Sequence, residues 1–144
     1  NRVMRQARTN PKPALPPRFD TGPFTEDEFM VAPDDPAVSQ DYPSVAFDGS
    51  KYLVVWEDMD ASYNTTIWGI LIEASGTPSD DSGFLISDYT GMASPSQPAV
   101  AFNGTEYLVV WRDYTPDGNI YGARVTPDGA VLDPSGIAVS EPAA

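Results

Sequence analysis

Two segments of the chain share one alternating pattern of apolar and polar positions. Residues 43–58 read PSVAFDGSKYLVVWED and residues 98–113 read PAVAFNGTEYLVVWRD, 55 positions later. Each contains a short apolar run, an Asp-Gly or Asn-Gly dipeptide, and a second apolar run. These dipeptides suit the positive φ angles of a tight hairpin turn. The pattern therefore predicts one β-hairpin in each segment.

Further matches extend each hairpin to a repeat of four strands. The tripeptides at 67–69 and 120–122 correspond, as do residues 83–87 and 136–140, both at an offset of 53. In the second strand, Tyr52, Val54 and Trp56 alternate with Leu53 and Val55, so both faces are apolar and we expect cover on both sides. The predicted strands are 44–47, 52–57, 66–72 and 83–87, then 99–102, 107–112, 119–125 and 136–140.

The repeat Pro-x-Val-Ala-Phe-(Asp/Asn)-Gly-x-x-Tyr-Leu-Val-Val-Trp-x-Asp, followed by Ile-(Trp/Tyr)-Gly, resembles a known kind of unit. It is similar to the four-stranded blades of bacterial secreted β-propeller proteins, of the sialidase-like or integrin-like type, over about residues 28–140. The resemblance implies an all-β fold with two four-stranded antiparallel blades. It also implies an extracellular or cell-surface location in a bacterium. It implies little about activity, since propellers carry unrelated functions.

The segment before the repeats has a different character. Residues 28–32 align with 83–87 and predict an orphan outer strand, and a proline-rich stretch before it predicts an extended arm. We therefore divide the chain into an arm (1–27), the orphan strand and its connection (28–40), blade repeat 1 (41–88) and blade repeat 2 (89–144).

Charge is distributed unevenly along the 144 residues. The net charge is −13, but residues 1–18 carry five basic residues and no acid. The other 126 residues hold three basic and all 21 acidic residues, a net charge of −18. We expect a basic arm that meets acidic surface, and an acidic body that does not bind nucleic acid.

Two blades do not close a ring, since propellers use roughly 4–8. Three alternatives follow: copies of the chain associate, further blades of a parent chain complete the ring, or the two sheets pack as a small sandwich. The orphan strand and the arm favour contacts between subunits through strand addition and opposite charge. The residues expected at these contacts are Arg2, Arg5, Arg8, Lys12, Arg18, Phe29, Met30 and Val31.

One interpretation of the loops after the second strands is a calcium site. Oxygen-bearing side chains occur at alternate positions there, as calcium ligands do in some loops. The candidate ligands are Asp58, Asp60, Asp113, Asp117 and Asn119. An ordinary polar turn explains the same residues, and we favour it.

Composition excludes much catalytic chemistry. The chain has no Cys and no His, which removes disulfides, thiol nucleophiles, imidazole ligands and Ser–His–Asp triads. We expect no enzyme activity and no cofactor other than calcium. The expected function is a structural subunit that assembles with itself, and the alternatives are a carbohydrate-binding segment or a fragment of a larger secreted propeller protein. Glycan contact would fall to loop aromatics, with Tyr63, Tyr89 and Tyr114 as candidates.

Overall fold

The computed structural model describes residues 39–79, 83–87, 94–114 and 118–140. The predicted arm (1–27) and the orphan strand at 28–32 lie outside these residues. Eight strands are present in the described part: β1 (Ser39–Phe47), β2 (Lys51–Met59), β3 (Thr65–Glu73), β4 (Phe84–Ser87), β5 (Pro95–Phe102), β6 (Tyr107–Asp113), β7 (Ile120–Val125) and β8 (Ile137–Ala138).

The strands form two four-stranded antiparallel sheets with the same connectivity. The first has the order β1-β2-β3-β4 and the second the order β5-β6-β7-β8. The described residues include no helix, so the predicted all-β fold with two four-stranded sheets is confirmed. Among the described residues no helix has the length and apolar character needed to cross a bilayer.

The hairpin turns follow from the two dipeptides. Gly49 and Gly104 adopt φ angles of 101° and 98°, which glycine tolerates because it has no Cβ. The preceding side chain closes each turn. Asp48 Oδ1 accepts the Ser50 and Lys51 amides at 2.7 and 2.6 Å, and Asn103 Oδ1 accepts the corresponding two amides at 2.8 and 2.9 Å. Local sequence thus fixes both hairpins.

Each sheet has two unlike faces, which we name after one residue of the second strand. The register places Phe47 beside Tyr52 and Ala46 beside Leu53 on opposite sides. The tyrosine face of the first sheet comprises Val45, Phe47, Tyr52, Val54 and Trp56, and its leucine face comprises Ala46, Leu53, Val55 and Glu57. In the second sheet the tyrosine face comprises Val100, Phe102, Tyr107, Val109 and Trp111, and the leucine face comprises Ala101, Leu108, Val110 and Arg112.

The main core lies where the leucine face of the first sheet packs on the tyrosine face of the second. Leu53 and Val55 join Tyr107, Val109 and Trp111 in one buried cluster. Burial of an aliphatic side chain of this size stabilises the fold by about 1.5–3 kcal/mol. A smaller cluster of Trp56, Ile70 and Ile72 lies on the other side of the first sheet. Unlike faces therefore meet between the two repeats.

Three details differ from the sequence-based expectation. β1 begins at Ser39 rather than 44, because a bulge between Asp41 and Ser44 lets the strand continue past Pro43. β8 has only two residues, Ile137–Ala138, where 136–140 was predicted. The expectation that the second strands are covered on both sides is wrong at their margins, since Tyr52 is 37% exposed and Leu108 is 43% exposed.

Candidate functional site

A buried carboxylate joins the two sheets. Glu57 Oε2, on the leucine face of the first sheet, accepts a hydrogen bond from Ser96 Oγ at 2.5 Å and from the Gln97 amide at 3.1 Å. Glu57 and Ser96 are both buried. Glu57 Oε2 reaches the Gln97 amide because β5 has a bulge between Ser96 and Ala99, where Gln97 takes a φ of 54°. Hydrogen bonds to a charged group are stronger than neutral ones, so this contact fixes how the sheets lie on each other.

Two more hydrogen bonds cross the same interface at its other end. Tyr107 Oη donates to the Lys51 carbonyl at 3.0 Å, and the Val100 amide donates to Ser44 Oγ at 3.2 Å. Burial raises the pKa of Tyr107 well above its usual range, and the nearby Asp48 carboxylate raises it further. The hydroxyl therefore stays protonated as a donor.

The tyrosine face of the first sheet repeats the packed one but is exposed along its margin. Val45 and Phe47, the counterparts of Val100 and Phe102, are 58% and 44% exposed. Phe47 packs on Tyr52 with ring centroids 4.6 Å apart, and in the counterpart pair the partly buried Phe102 and the buried Tyr107 have centroids 4.9 Å apart. The exposed part of this face is thus limited to the β1 margin, because Trp56, Ile70 and Ile72 at its centre are buried.

The leucine face of the second sheet is the other outer surface. Leu108 is exposed where its counterpart Leu53 is fully buried, and Ile137 and Val139 are exposed as well. Val139 lies on the same face. A Cβ atom added to Gly122 would point to this face, and it would come within 3.5 Å of Val139 Cγ2. Large contiguous patches of exposed apolar residues often occur at association surfaces.

Two arginines on this outer leucine face replace other residues of the first sheet. Arg112 stands at the position of Glu57, and its guanidinium lies 4.4 Å from the centre of the Tyr114 ring. Arg124 stands at the position of Leu71 and forms a bidentate pair with Asp133, from Nε to Oδ2 at 2.9 Å and from Nη2 to Oδ1 at 3.1 Å. The Arg124 side chain lowers the pKa of Asp133, chiefly by this hydrogen bonding.

The candidate calcium ligands of the first repeat make hydrogen bonds within the chain. Asp60 accepts the Ser62 and Asn64 amides at 2.8 and 3.0 Å and the Asn64 side-chain amide at 2.9 Å, and these bonds lower its pKa. Asp58 Oδ2 lies 3.5 Å from Gln40 Nε2. The Asp60 carboxylate thus closes a polar turn.

The corresponding residues of the second repeat are described only in part. Asp113 is buried and accepts the Ser94 amide at 3.1 Å, and the Asn119 carbonyl accepts the Asp113 amide at 2.8 Å. Asp117 lies outside the described residues. Over 39–79, 83–87, 94–114 and 118–140, no three Asp or Glu side chains come together as a metal site would require.

Two of the three candidate glycan-contact residues are described, and they lie in corresponding loops after the second strands. Tyr63 is 80% exposed, with a φ of 64°, in the loop between β2 and β3. Tyr114 follows β6, packs on Arg112 and accepts a hydrogen bond from Gln97 Nε2 at 3.4 Å. Tyr89 lies outside the described residues. The two described candidates, Tyr63 and Tyr114, therefore lie one in each repeat.

The predicted inter-subunit residues of the arm and the orphan strand are not among the described residues. These are Arg2, Arg5, Arg8, Lys12, Arg18, Phe29, Met30 and Val31. Sequence reasoning missed another set, namely Asp41, Glu57, Ser96 and Arg112. The repeat contained a signal for this set, since Glu57 aligns with Arg112 and Asp41 with Ser96, and both pairs differ in charge. Other aligned pairs differ in charge too, namely Asp48 with Asn103 and Lys51 with Glu106.

A scan against protein-family models matched no family, and a search of curated proteins found no match. The architecture nevertheless agrees with the sequence repeat. Both sheets have four antiparallel strands in sequence order, as blade-like β repeats do.

Proposed function

We propose that this protein is a non-enzymatic structural subunit whose sheets continue into a larger extracellular assembly, either a β-propeller-like ring or a filament. The observation that carries the proposal is that exposed apolar residues occur on both outer faces of the pair of sheets. Val45 and Phe47 on one outer face, and Leu108 on the other, repeat residues that are packed between the two sheets. At its margins the chain thus exposes residues of both halves of an interface that it already forms once, while the centre of the first sheet's tyrosine face is buried at Trp56, Ile70 and Ile72.

The geometry of the internal interface favours propagation. A leucine face meets a tyrosine face, so stacking two sheets leaves one face of each kind on the outside. Contacts between unlike surfaces are heterologous, and they close into a ring or continue as a filament according to the rotation between subunits. Three or four chains would supply the six or eight blades of a closed propeller, within its usual range of about 4–8.

The basic arm is an electrostatic part of the same proposal. Residues 1–18 carry +5 and the remaining chain −18, so the arm of one copy is attracted to the body of another. Deleting residues 1–27 should weaken assembly at low salt. At about 1 M salt, where the Debye length is about 3 Å, the deletion should have little further effect. Unchanged assembly of the deleted form at every salt concentration would leave the arm without a role in assembly.

The faces themselves are tested with single charges. Phe47→Asp and Leu108→Asp each place a carboxylate in one outer face and should shift the full chain toward monomers in sedimentation velocity. Tyr63→Asp is the matched control, because Tyr63 is exposed but lies in a loop away from both faces. The proposal fails if the unsubstituted chain is monomeric, or if the control disrupts assembly as strongly as the two face variants.

A further inference from the structure

We infer that the partner of the outer leucine face is a second copy of this chain, docked head to tail so that Arg112 of one copy pairs with Asp41 of the next. The inference rests on the proposed function and specifies its contact. It follows from the internal interface, used as a template for the external one.

In the template, one residue of the leucine face reaches the bulge of the next sheet. Glu57 accepts hydrogen bonds from Ser96 and the Gln97 amide, where β5 has its bulge. Glu57 is buried in this contact, with 7% of its surface exposed. The residue at the position of Glu57 therefore contacts the bulge of the next sheet.

The first sheet has the same bulge at the same place. β1 shifts register between Asp41 and Ser44, as β5 does between Ser96 and Ala99. Tyr42 and Gln97, the corresponding bulge residues, both have a φ of 54°. The backbone that receives Glu57 inside the chain is therefore repeated at the exposed β1 margin of the outer tyrosine face, where Tyr42, Val45 and Phe47 are exposed.

The side chains at these equivalent points have complementary charge. Moving one repeat along the chain changes Glu57 to Arg112, and moving one repeat back changes Ser96 to Asp41. A carboxylate meets a hydroxyl inside the chain, whereas a guanidinium meets a carboxylate between copies. A partner lacking this carboxylate would leave the arginine unmatched, so the pair favours another copy as the occupant.

Both side chains are placed for such a pair. Arg112 and Asp41 are exposed, and no carboxylate of the described residues lies within ion-pair distance of Arg112. Arg112 rests on the Tyr114 ring at 4.4 Å, and Ser39 Oγ donates to Asp41 Oδ2 at 2.9 Å. The aromatic contact and the hydrogen bond each orient one partner while leaving it accessible.

The same charges oppose incorrect stacking. If two copies met through like outer faces, the charges brought together would have the same sign, Arg112 on both sides or Asp41 on both sides, and they would repel each other. Specific recognition commonly combines one attractive pairing with repulsion in the alternatives. The two repeats are therefore ordered, with the second sheet always followed by the first sheet of the next copy.

The test uses charge reversal on the full chain, read by native mass spectrometry and sedimentation. Arg112→Glu and Asp41→Arg should each raise the concentration needed for half assembly by about tenfold or more, since like charges in an interface cost several kcal/mol and 1.4 kcal/mol is tenfold. An equimolar mixture of the two variants should associate again through contacts between unlike variants, because each such contact joins opposite charges. The expected products are heterodimers and larger oligomers with an even number of chains, since a ring of three chains cannot alternate.

Arg112→Lys is the matched control, and it should keep assembly within a few-fold of the unsubstituted chain. Far-ultraviolet circular dichroism should confirm that each variant is folded. Normal assembly of both reversed variants, or failure of the mixture to assemble, would overturn the inference while leaving the proposed function standing. A monomeric unsubstituted chain would remove both.

Discussion

Glu57 on the first sheet and Ser96 on the second are joined by a 2.5 Å hydrogen bond at a buried point between the sheets. The two residues are 39 positions apart in the chain, so the bond depends on the packing of one repeat on the other. It is the shortest hydrogen bond between the described parts of the two sheets, and it helps to define their relative position.

Removing the hydroxyl of Ser96 should lower the stability of the packed pair of sheets. Ser96→Ala leaves the Glu57 carboxylate with one donor fewer in a buried site, and loss of a hydrogen bond to a charged group costs about 1.5–3 kcal/mol. Urea unfolding should show that decrease. Ser39→Ala removes a hydrogen bond of the same kind at an exposed position and should change the free energy of unfolding by less than about 0.5 kcal/mol. Equal effects of the two substitutions would contradict the role given to Glu57.

The repeat offers a matched pair of leucines that separates folding from assembly. Leu53 is fully buried between the sheets, and Leu108 is 43% exposed on the outer leucine face. Leu53→Ala should lower the free energy of unfolding by about 2–5 kcal/mol because it leaves a cavity. Leu108→Ala should leave the unfolding of the dissociated chain nearly unchanged and weaken assembly. Chemical unfolding at a concentration below assembly, combined with sedimentation above it, measures both. A large loss of monomer stability in Leu108→Ala would show that this face is already packed within the chain.

Alkaline pH should weaken the interface between the sheets through Tyr107. The pKa of its hydroxyl is raised by burial and by Asp48, so the folded state favours the protonated form. The contribution of Tyr107 to the free energy of unfolding is fully present below the ordinary tyrosine pKa of about 10. Above that pH the tyrosine of the unfolded chain ionises while the folded one stays protonated, so this contribution is lost as the pH rises. Stability should then fall by up to about 1.4 kcal/mol per pH unit from this group.

Tyr107→Phe isolates that contribution. The variant loses the hydrogen bond to the Lys51 carbonyl and should be less stable at pH 8, but its stability should decline less steeply between pH 10 and 11. The quantity to compare is the slope of the free energy of unfolding against pH, not the free energy of unfolding itself. An identical slope in the variant and the unsubstituted chain would show that Tyr107 does not control the alkaline response.

Calcium should have little effect on the loop after β2. The Asp60 carboxylate already accepts two backbone amides and the Asn64 side chain, so a bound ion would have to displace donors that hold the turn. After chelation, adding millimolar calcium should leave the melting temperature unchanged. A rise of several degrees that Asp60→Asn abolishes would instead establish a calcium site there.

The strands were predictable because their signals are local. The dipeptides at Asp48 and Asn103 determine the hairpins, and the alternation from Tyr52 to Trp56 defines two apolar faces before any tertiary contact is known. The early start of β1 was not predictable in the same way. Pro43 suggests a strand that begins after it. In the structure a bulge, with Tyr42 at positive φ, lets the pairing of β1 with β2 continue on the N-terminal side of Pro43.

Which face packs inside the chain could not be derived from the alternation. Tyr52 and Tyr107 occupy the same place in the two repeats, yet the first is 37% exposed and the second fully buried. The difference arises because the second sheet uses its tyrosine face against the first, while the corresponding face of the first sheet points outward. The Glu57 contact also depends on a bulge 39 residues away, which a local pattern does not report.

The mass of the native particle at increasing concentration tests the central claim most directly. One chain has a mass of 15.5 kDa. Continuation of unlike faces predicts particles whose mass is a multiple of that value, either one closed ring of three or four chains or a series that lengthens with concentration. A single species of 15.5 kDa at the highest attainable concentration and at low salt would contradict the account.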